Sequence, residues 1–204
     1  MTKLILFNKP FGVLSQFRGD ENNDYGTLSD FISDKSLRVA GRLDATSEGL
    51  LLLTDDGKLN QRLTEPLVIR AHNPLPDARL GKTYWVQVAG IASDEQLSQL
   101  RTGVILKDGK TLPAYVRHLT LKEQERLWAA PSGVGKRAVN SWLSITIFQG
   151  KNRQIRRMTA AVGLPCLRLV RVSAHGFTVF GIPVGEAVYA NRQAIQALVG
   201  THEK

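Results

Sequence analysis

Residues 41–57 read GRLDATSEGLLLLTDDG, and the fold turns on how this stretch is parsed. Residues 50–54 form an almost continuous apolar run, short enough for a strand buried on both faces. Asp55, Asp56 and Gly57 make a strong turn signal that closes it. Ahead of the run, Asp44 stands in a polar segment, where its side chain can accept a backbone N–H two residues on and close a turn. That is the ordinary use of an Asp in a loop. Thr46, Ser47 and Glu48 are ordinary loop hydrogen-bonders, and Arg42 is an ordinary solvated cation.

Working outward toward the N-terminus, residues 37–40 are short and β-like, and residues 20–26 (DENNDYG) form a polar loop. Residues 3–8 and 12–17 read as two strands parted by Lys9, Pro10 and Phe11, with Pro10 and Gly12 supplying the turn. Toward the C-terminus, residues 58–63 suit a short helix. Residues 66–81 hold three prolines and one glycine and mark the expected boundary between two lobes of a single domain. Residues 83–89 are aromatic and β-branched, as strands prefer. Ser93 with Gln96 forms a capping box that opens a helix to about residue 101.

Residues 113–120 and 139–148 are further strands. The PSGVGKR loop between them lacks the spacing of a phosphate-binding Walker loop. Over residues 151–162, Ile155, Met158, Ala161 and Val162 share one helical face, while Arg153, Arg156 and Arg157 share another. Gly163 ends that helix and Pro165 prevents its continuation. Strands at 167–174 and 186–190 and a C-terminal helix complete the chain. The expected class is α+β, with a largely antiparallel central sheet flanked by a few helices.

The chain has 204 residues, 43% hydrophobic and 22% charged, an ordinary composition for a globular protein with a sizeable core. No apolar run reaches the roughly 20 residues of a membrane span. The opening MTKLILFNKP reads as a strand, not a leader. One cysteine, Cys166, excludes an internal disulfide and a multi-cysteine metal site, and a cytoplasmic setting is expected. The net charge of +9 is concentrated. Between Glu125 and Glu186 no acidic residue occurs, yet Arg126, Lys136, Arg137, Lys151, Arg153, Arg156, Arg157, Arg168 and Arg171 do. A one-signed segment of this kind attracts a polyanion, because neutralised phosphates release counterions.

The usual catalytic constellations are absent from the sequence. His72, His118, His175 and His202 stand far apart, and no G-x-S-x-G elbow or GxGxxG fingerprint appears. No metal and no cofactor is expected. Several segments together carry a different signal. GRLDATSEGLLLLTDDG, the opening FNKPFGVLSQF, GKTYWV, GKNRQIRRM and LRLVRVSAHG closely resemble, in order, the motifs of the ribosomal small-subunit pseudouridine synthase A family. The pattern is most similar to members that modify large-subunit (23S) ribosomal RNA.

The resemblance implies that family's catalytic fold, with two lobes and a cleft, and a chain that isomerises a uridine in ribosomal RNA to pseudouridine. It implies that Asp44 is the nucleophile, Tyr84 the active-site aromatic, and Arg156 the salt-bridge partner of the carboxylate. Leu169 becomes an apolar wall against the base. Asn8, Lys9, Arg42, Lys151, Arg153 and Arg157 are expected to contact the RNA. Because the Asn-Lys-Pro segment starts at residue 8, no S4-type RNA-binding module is expected ahead of it. A monomer with no membrane partner is expected. The competing reading is a non-catalytic ribosomal RNA-binding or ribosome-assembly protein using the same basic window.

Overall fold

The structure, a computed structural model, describes residues 2–19, 21–66 and 75–200. Asp20 of the polar loop, and residues 67–74 of the proline-rich stretch with His72, lie outside the described residues, as does His202. In chain order the elements are β1 (Leu4–Lys9), β2 (Arg38–Ala40), β3 (Glu48–Thr54), α1 (Gly57–Thr64), β4 (Lys82–Ala89) and α2 (Asp94–Thr102). There follow β5 (Ile105–Leu106), β6 (Gly109–Lys110), β7 (Tyr115–His118), α3 (Leu121–Gln124), β8 (Asn140–Ile147) and α4 (Gln154–Ala161). The last elements are β9 (Cys166–Ala174), β10 (Phe177–Thr178), β11 (Ala187–Tyr189) and α5 (Arg192–Gly200). They fall into two compact units. One takes the residues up to Glu65 with those from Phe177 on, and the other is Pro66–Gly176.

In the first unit β1 lies between β11 and β3, and β2 joins the far side of β3, all antiparallel. Every residue of β1 and β3 is buried, so the apolar run forms the centre of this sheet. Asp56, just past the run, starts α1 by accepting hydrogen bonds from Lys58 and Leu59 N–H, satisfying donors that a helix start otherwise leaves orphaned. Those bonds, with one from the Thr2 hydroxyl, hold the Asp56 carboxyl below its usual range. Leu59 and Leu63, one turn apart, are the buried face of the helix.

In the second unit β4 pairs with β9 on one side and β8 on the other, and β7 extends the sheet beyond β8, again all antiparallel. The α+β class with an antiparallel sheet is what this architecture displays. The Ser93–Gln96 capping box is present at α2, and Gln96 Nε2 also donates to Val162 O at 2.8 Å, tying α2 to the end of α4. There Gly163 has φ 78°, its N–H bonds Ala160 O at 3.0 Å, and Leu164 N–H bonds Thr159 O at 2.9 Å. This is the paired closure that a left-handed residue after the helix permits.

Two sequence expectations are corrected. Residues 12–17 form no strand: Val13 makes only an isolated bridge to Gly26. Gly12 takes φ 78°, which turns the chain out of an extended path, and the Ser15 side chain bonds a distant loop. The helix read over 151–162 starts later, at Gln154, because Arg153 sits in the left-handed region at φ 46°. Lys151 N–H bonds Gln154 Oε1, and Gln154 N–H returns to Lys151 O, so the entry turn is closed before the helix begins. Arg153 therefore does not share the helical face of Arg156 and Arg157.

Candidate active site

The Asp44 segment belongs to the first unit and is braced from beneath. Ser15 Oγ donates to Leu43 O at 2.7 Å and accepts from Leu43 N–H at 3.0 Å, so one hydroxyl satisfies both backbone groups of the residue preceding Asp44. Gly12 N–H bonds Ala45 O at 2.8 Å, on the other side of Asp44. Ser47 N–H bonds Asp44 O at 3.0 Å and closes the turn that returns the chain to β3. Asp44 is half-buried between these anchors, and Arg42 is exposed.

Asn8 and Lys9 are fully buried at the end of β1. Lys9 Nζ donates to Pro10 O at 2.8 Å and Val13 O at 2.6 Å and lies 3.5 Å from Ala45 O. A buried ammonium must find acceptors, and here it takes backbone carbonyls, one of them beside Asp44. Asn8 Nδ2 donates to Ile182 O at 2.8 Å, and its backbone bonds Glu186 O and accepts from Gly185 N–H. Both side chains are thus directed into the scaffold that carries the loop.

Tyr84, Arg156 and Leu169 belong to the second unit. In an antiparallel sheet directly opposed residues share a face, as do alternate residues on one strand. Tyr84 opposes Arg171, Val86 opposes Leu169 and Val88 opposes Cys166. Tyr84, Leu169 and Arg171 are buried on that shared face. Arg156 reaches it from α4, its Nη1 lying 3.6 Å from Cys166 Sγ. Burial pushes the Cys166 thiol up to about 11, the opposite of what a nucleophilic cysteine requires. The same face carries Lys82, two residues before Tyr84.

The basic window divides by surroundings. Arg168 and Arg171 are core residues, with Arg168 donating from both terminal nitrogens to Trp128 O at 3.2 Å. Arg157 makes a two-pronged pair with Asp108 at 2.8 and 3.1 Å. Lys151 Nζ donates to Asp108 O at 2.8 Å and lies 3.8 Å from its carboxylate. Asp108, in the turn between β5 and β6, comes from outside the window and holds these two cations to that hairpin. Arg126, Lys136, Arg137 and Arg153 are exposed.

The sequence reading missed four contributors to this scaffold. Ser15 lies in a stretch of strand-like composition, and Asp108 carries no motif. Lys82 and Gly81 lie within GKTYWV, where Tyr84 draws the reading. A Cβ on Gly81 would stand 2.6 Å from Thr146 Cγ2 and 3.0 Å from Ile147 O, so glycine is required where β4 begins. Among the described residues no group of three or more His, Cys, Asp or Glu lies together as a metal site, and no helix is long and apolar enough to cross a membrane.

The first unit carries an aspartate loop braced at the head of a buried strand, the second a Tyr–Leu–Arg face on its strands, and the sequence that builds them matches a known family over most of its length. Residues 3–161 fit the model described as RNA pseudouridylate synthase, and the chain belongs to that family. Within it, the chain is 48% identical over 186 residues to Ribosomal large subunit pseudouridine synthase E of Vibrio vulnificus (strain CMCP6), covering 90% of this chain and 73% of that protein. It is 51% identical over 172 residues to the protein of the same name from Xanthomonas axonopodis pv. citri (strain 306), covering 83% and 84%. A solved structure described as the crystal structure of pseudouridylate synthase superposes with a TM-score of 0.72 at 25% identity, covering 97% of this chain and 74% of that one.

Proposed function

We propose that this chain isomerises one uridine of large-subunit (23S) ribosomal RNA to pseudouridine, with Asp44 as nucleophile. The observation that carries the reading is the extent of similarity to proteins named for that substrate, 48% identity over nine-tenths of this chain. In the reaction the N1–C1′ bond breaks, the uracil turns, and a C5–C1′ bond forms. C5 loses a proton and N1 gains one, so the step is an isomerisation with no net oxidation. The Asp44 carboxylate adds covalently and is later released, dividing one hard step into two easier ones. The fixed loop supports this role, because a nucleophile held on a rigid frame needs little reorganisation to reach its target.

Tyr84 is read as the group that stacks on the flipped base, Leu169 as the apolar surface against it, and Arg156 as the counter-charge to Asp44. The target leaves its stack at a cost of a few kcal/mol, smallest in loops and bulges. The exposed Arg126, Lys136, Arg137 and Arg153 are read as phosphate contacts, together with Arg42. Incubating the protein with unmodified 23S transcript, followed by carbodiimide treatment and primer extension, tests the reading. One new stop is expected. RNA binding without any new stop would favour a non-catalytic assembly protein instead.

A further inference from the structure

Lys82 is nine-tenths buried, at 8% exposure, and its ammonium makes no hydrogen bond and no ion pair with the described residues. The charge that acts on it is that of another cation. Arg171, 2% exposed, is close enough for the two to repel. Its Nζ lies beside Gly150, 3.6 Å from where a Cβ on that glycine would stand, in the segment that leads into α4. A largely buried ammonium that meets no protein acceptor is unfavourable, and chains avoid it unless the charge has a use. The cost is visible in its acidity: burial, and then Arg171, bring the Lys82 amine down to about 8. Lys9 gives the contrast within this chain, since its buried ammonium is met by backbone carbonyls.

Strand alternation puts Lys82 on the face of Tyr84, two residues away, with Arg171 opposite Tyr84 on β9. Side chains at that spacing along a strand are roughly 7 Å apart. A base lying on Tyr84 would bring its own backbone phosphate within a long cation's reach. We propose that Lys82 is a phosphate-binding residue for the RNA strand next to the nucleotide held at Tyr84. The inference rests on the proposed function and adds to it a specific anchor for the flipped nucleotide. Phosphate binding would favour the charged form that burial and Arg171 disfavour, so affinity is coupled to ionisation of this one amine.

Lys82→Met and Lys82→Arg test the proposal on the fragment of ribosomal RNA that contains the mapped uridine. Each phosphate neutralised contributes about 0.7 to the slope of log affinity against log salt on single strands. K82M is expected to flatten the slope by that amount, so its affinity falls about 2.6-fold less than wild type between 50 and 200 mM salt. K82R should keep the wild-type slope. Because K82M removes a charge that no protein group meets from a largely buried side chain, it should melt no lower than wild type. An unchanged slope in K82M, or a K82M chain melting below wild type, would overturn the proposal, the latter by making the amine a structural group.

A free phosphate ion would offer the same chemistry from another source. Melting in inorganic phosphate against chloride at equal ionic strength separates the two. Equal wild-type melting temperatures support an RNA site, whereas a rise that K82M abolishes would assign the site to the free ion and overturn this proposal. The two levels fail differently. A wild-type protein that leaves 23S uridines unmodified removes the proposed function, while a working enzyme with an unchanged K82M slope removes only the phosphate site.

Discussion

Ser15 directs its single hydroxyl to both backbone groups of Leu43, 28 residues away in the chain. Replacing it with alanine leaves a buried N–H and a buried carbonyl unsatisfied beside Asp44. Ser15→Ala is therefore expected to lose about 1–3 kcal/mol of stability, read by urea denaturation, and to lower kcat more than it raises KM. A variant as stable as wild type would show that the loop is held without the Ser15 hydroxyl. Asp44, Tyr84 and Arg156 were readable in the sequence only through resemblance, since each has an ordinary local use. The groups that position them were not readable, because a hydroxyl bonding across 28 residues leaves no local period. Arg157 is the same case: the sequence displays a cation in an acid-free window, and the chain brings Asp108 to it from 49 residues away.

At the level of elements, the legible parts were those with a repeating pattern or a cap. The apolar run became β3, Asp56 capped α1, and the Ser93–Gln96 box opened α2. Residues 12–17 have strand composition but became a loop, because tertiary hydrogen bonds and the positive φ of Gly12 override a weak β preference. Glycines carried more structure than their motifs suggested. Gly163→Ala places a Cβ in the left-handed closure of α4 and should cost about 1 kcal/mol. Gly81→Ala should cost more, since its Cβ would meet the backbone of Ile147 and the Thr146 methyl with no flexible atom to give way at the former. Denaturant midpoints of the two variants check the order; an equal or reversed order would contradict the close approach at Gly81.

At the level of the whole chain, charge was legible in its location but not in its surroundings, because two of the nine basic residues of the window lie in the core. Acid and base limits follow from groups whose partners are seen. In the first unit the Lys3 ammonium and Ser36 hold the Asp34 carboxyl near 2, and hydrogen bonds lower Asp56. In the second, Arg117 and the Thr120 cap hold Glu123 near 2. Depressed carboxyls stabilise the fold above their unfolded values near 4, and that contribution disappears as pH falls toward 2. Lys82 works in the other direction. Its amine is near 8 when folded against 10.5 ordinarily, so the folded chain carries its full penalty below pH 8 and gains stability as pH rises toward 10.5. Melting temperature against pH should fall steeply below 4 and, once other groups are matched by comparison with K82M, rise between 8 and 10. A difference between wild type and K82M that stays flat across that range would contradict the burial of Lys82.

The most direct measurement is carbodiimide mapping of 23S transcript treated with Asp44→Asn beside the native protein, with RNA affinity measured on the same samples. Asparagine keeps the size and one acceptor oxygen of the side chain and removes the nucleophilic carboxylate. The native protein should produce one new stop, and Asp44→Asn none, with RNA affinity within about threefold of wild type, a change below 1 kcal/mol. A new stop of native strength from Asp44→Asn would contradict the assignment of Asp44 as the nucleophile.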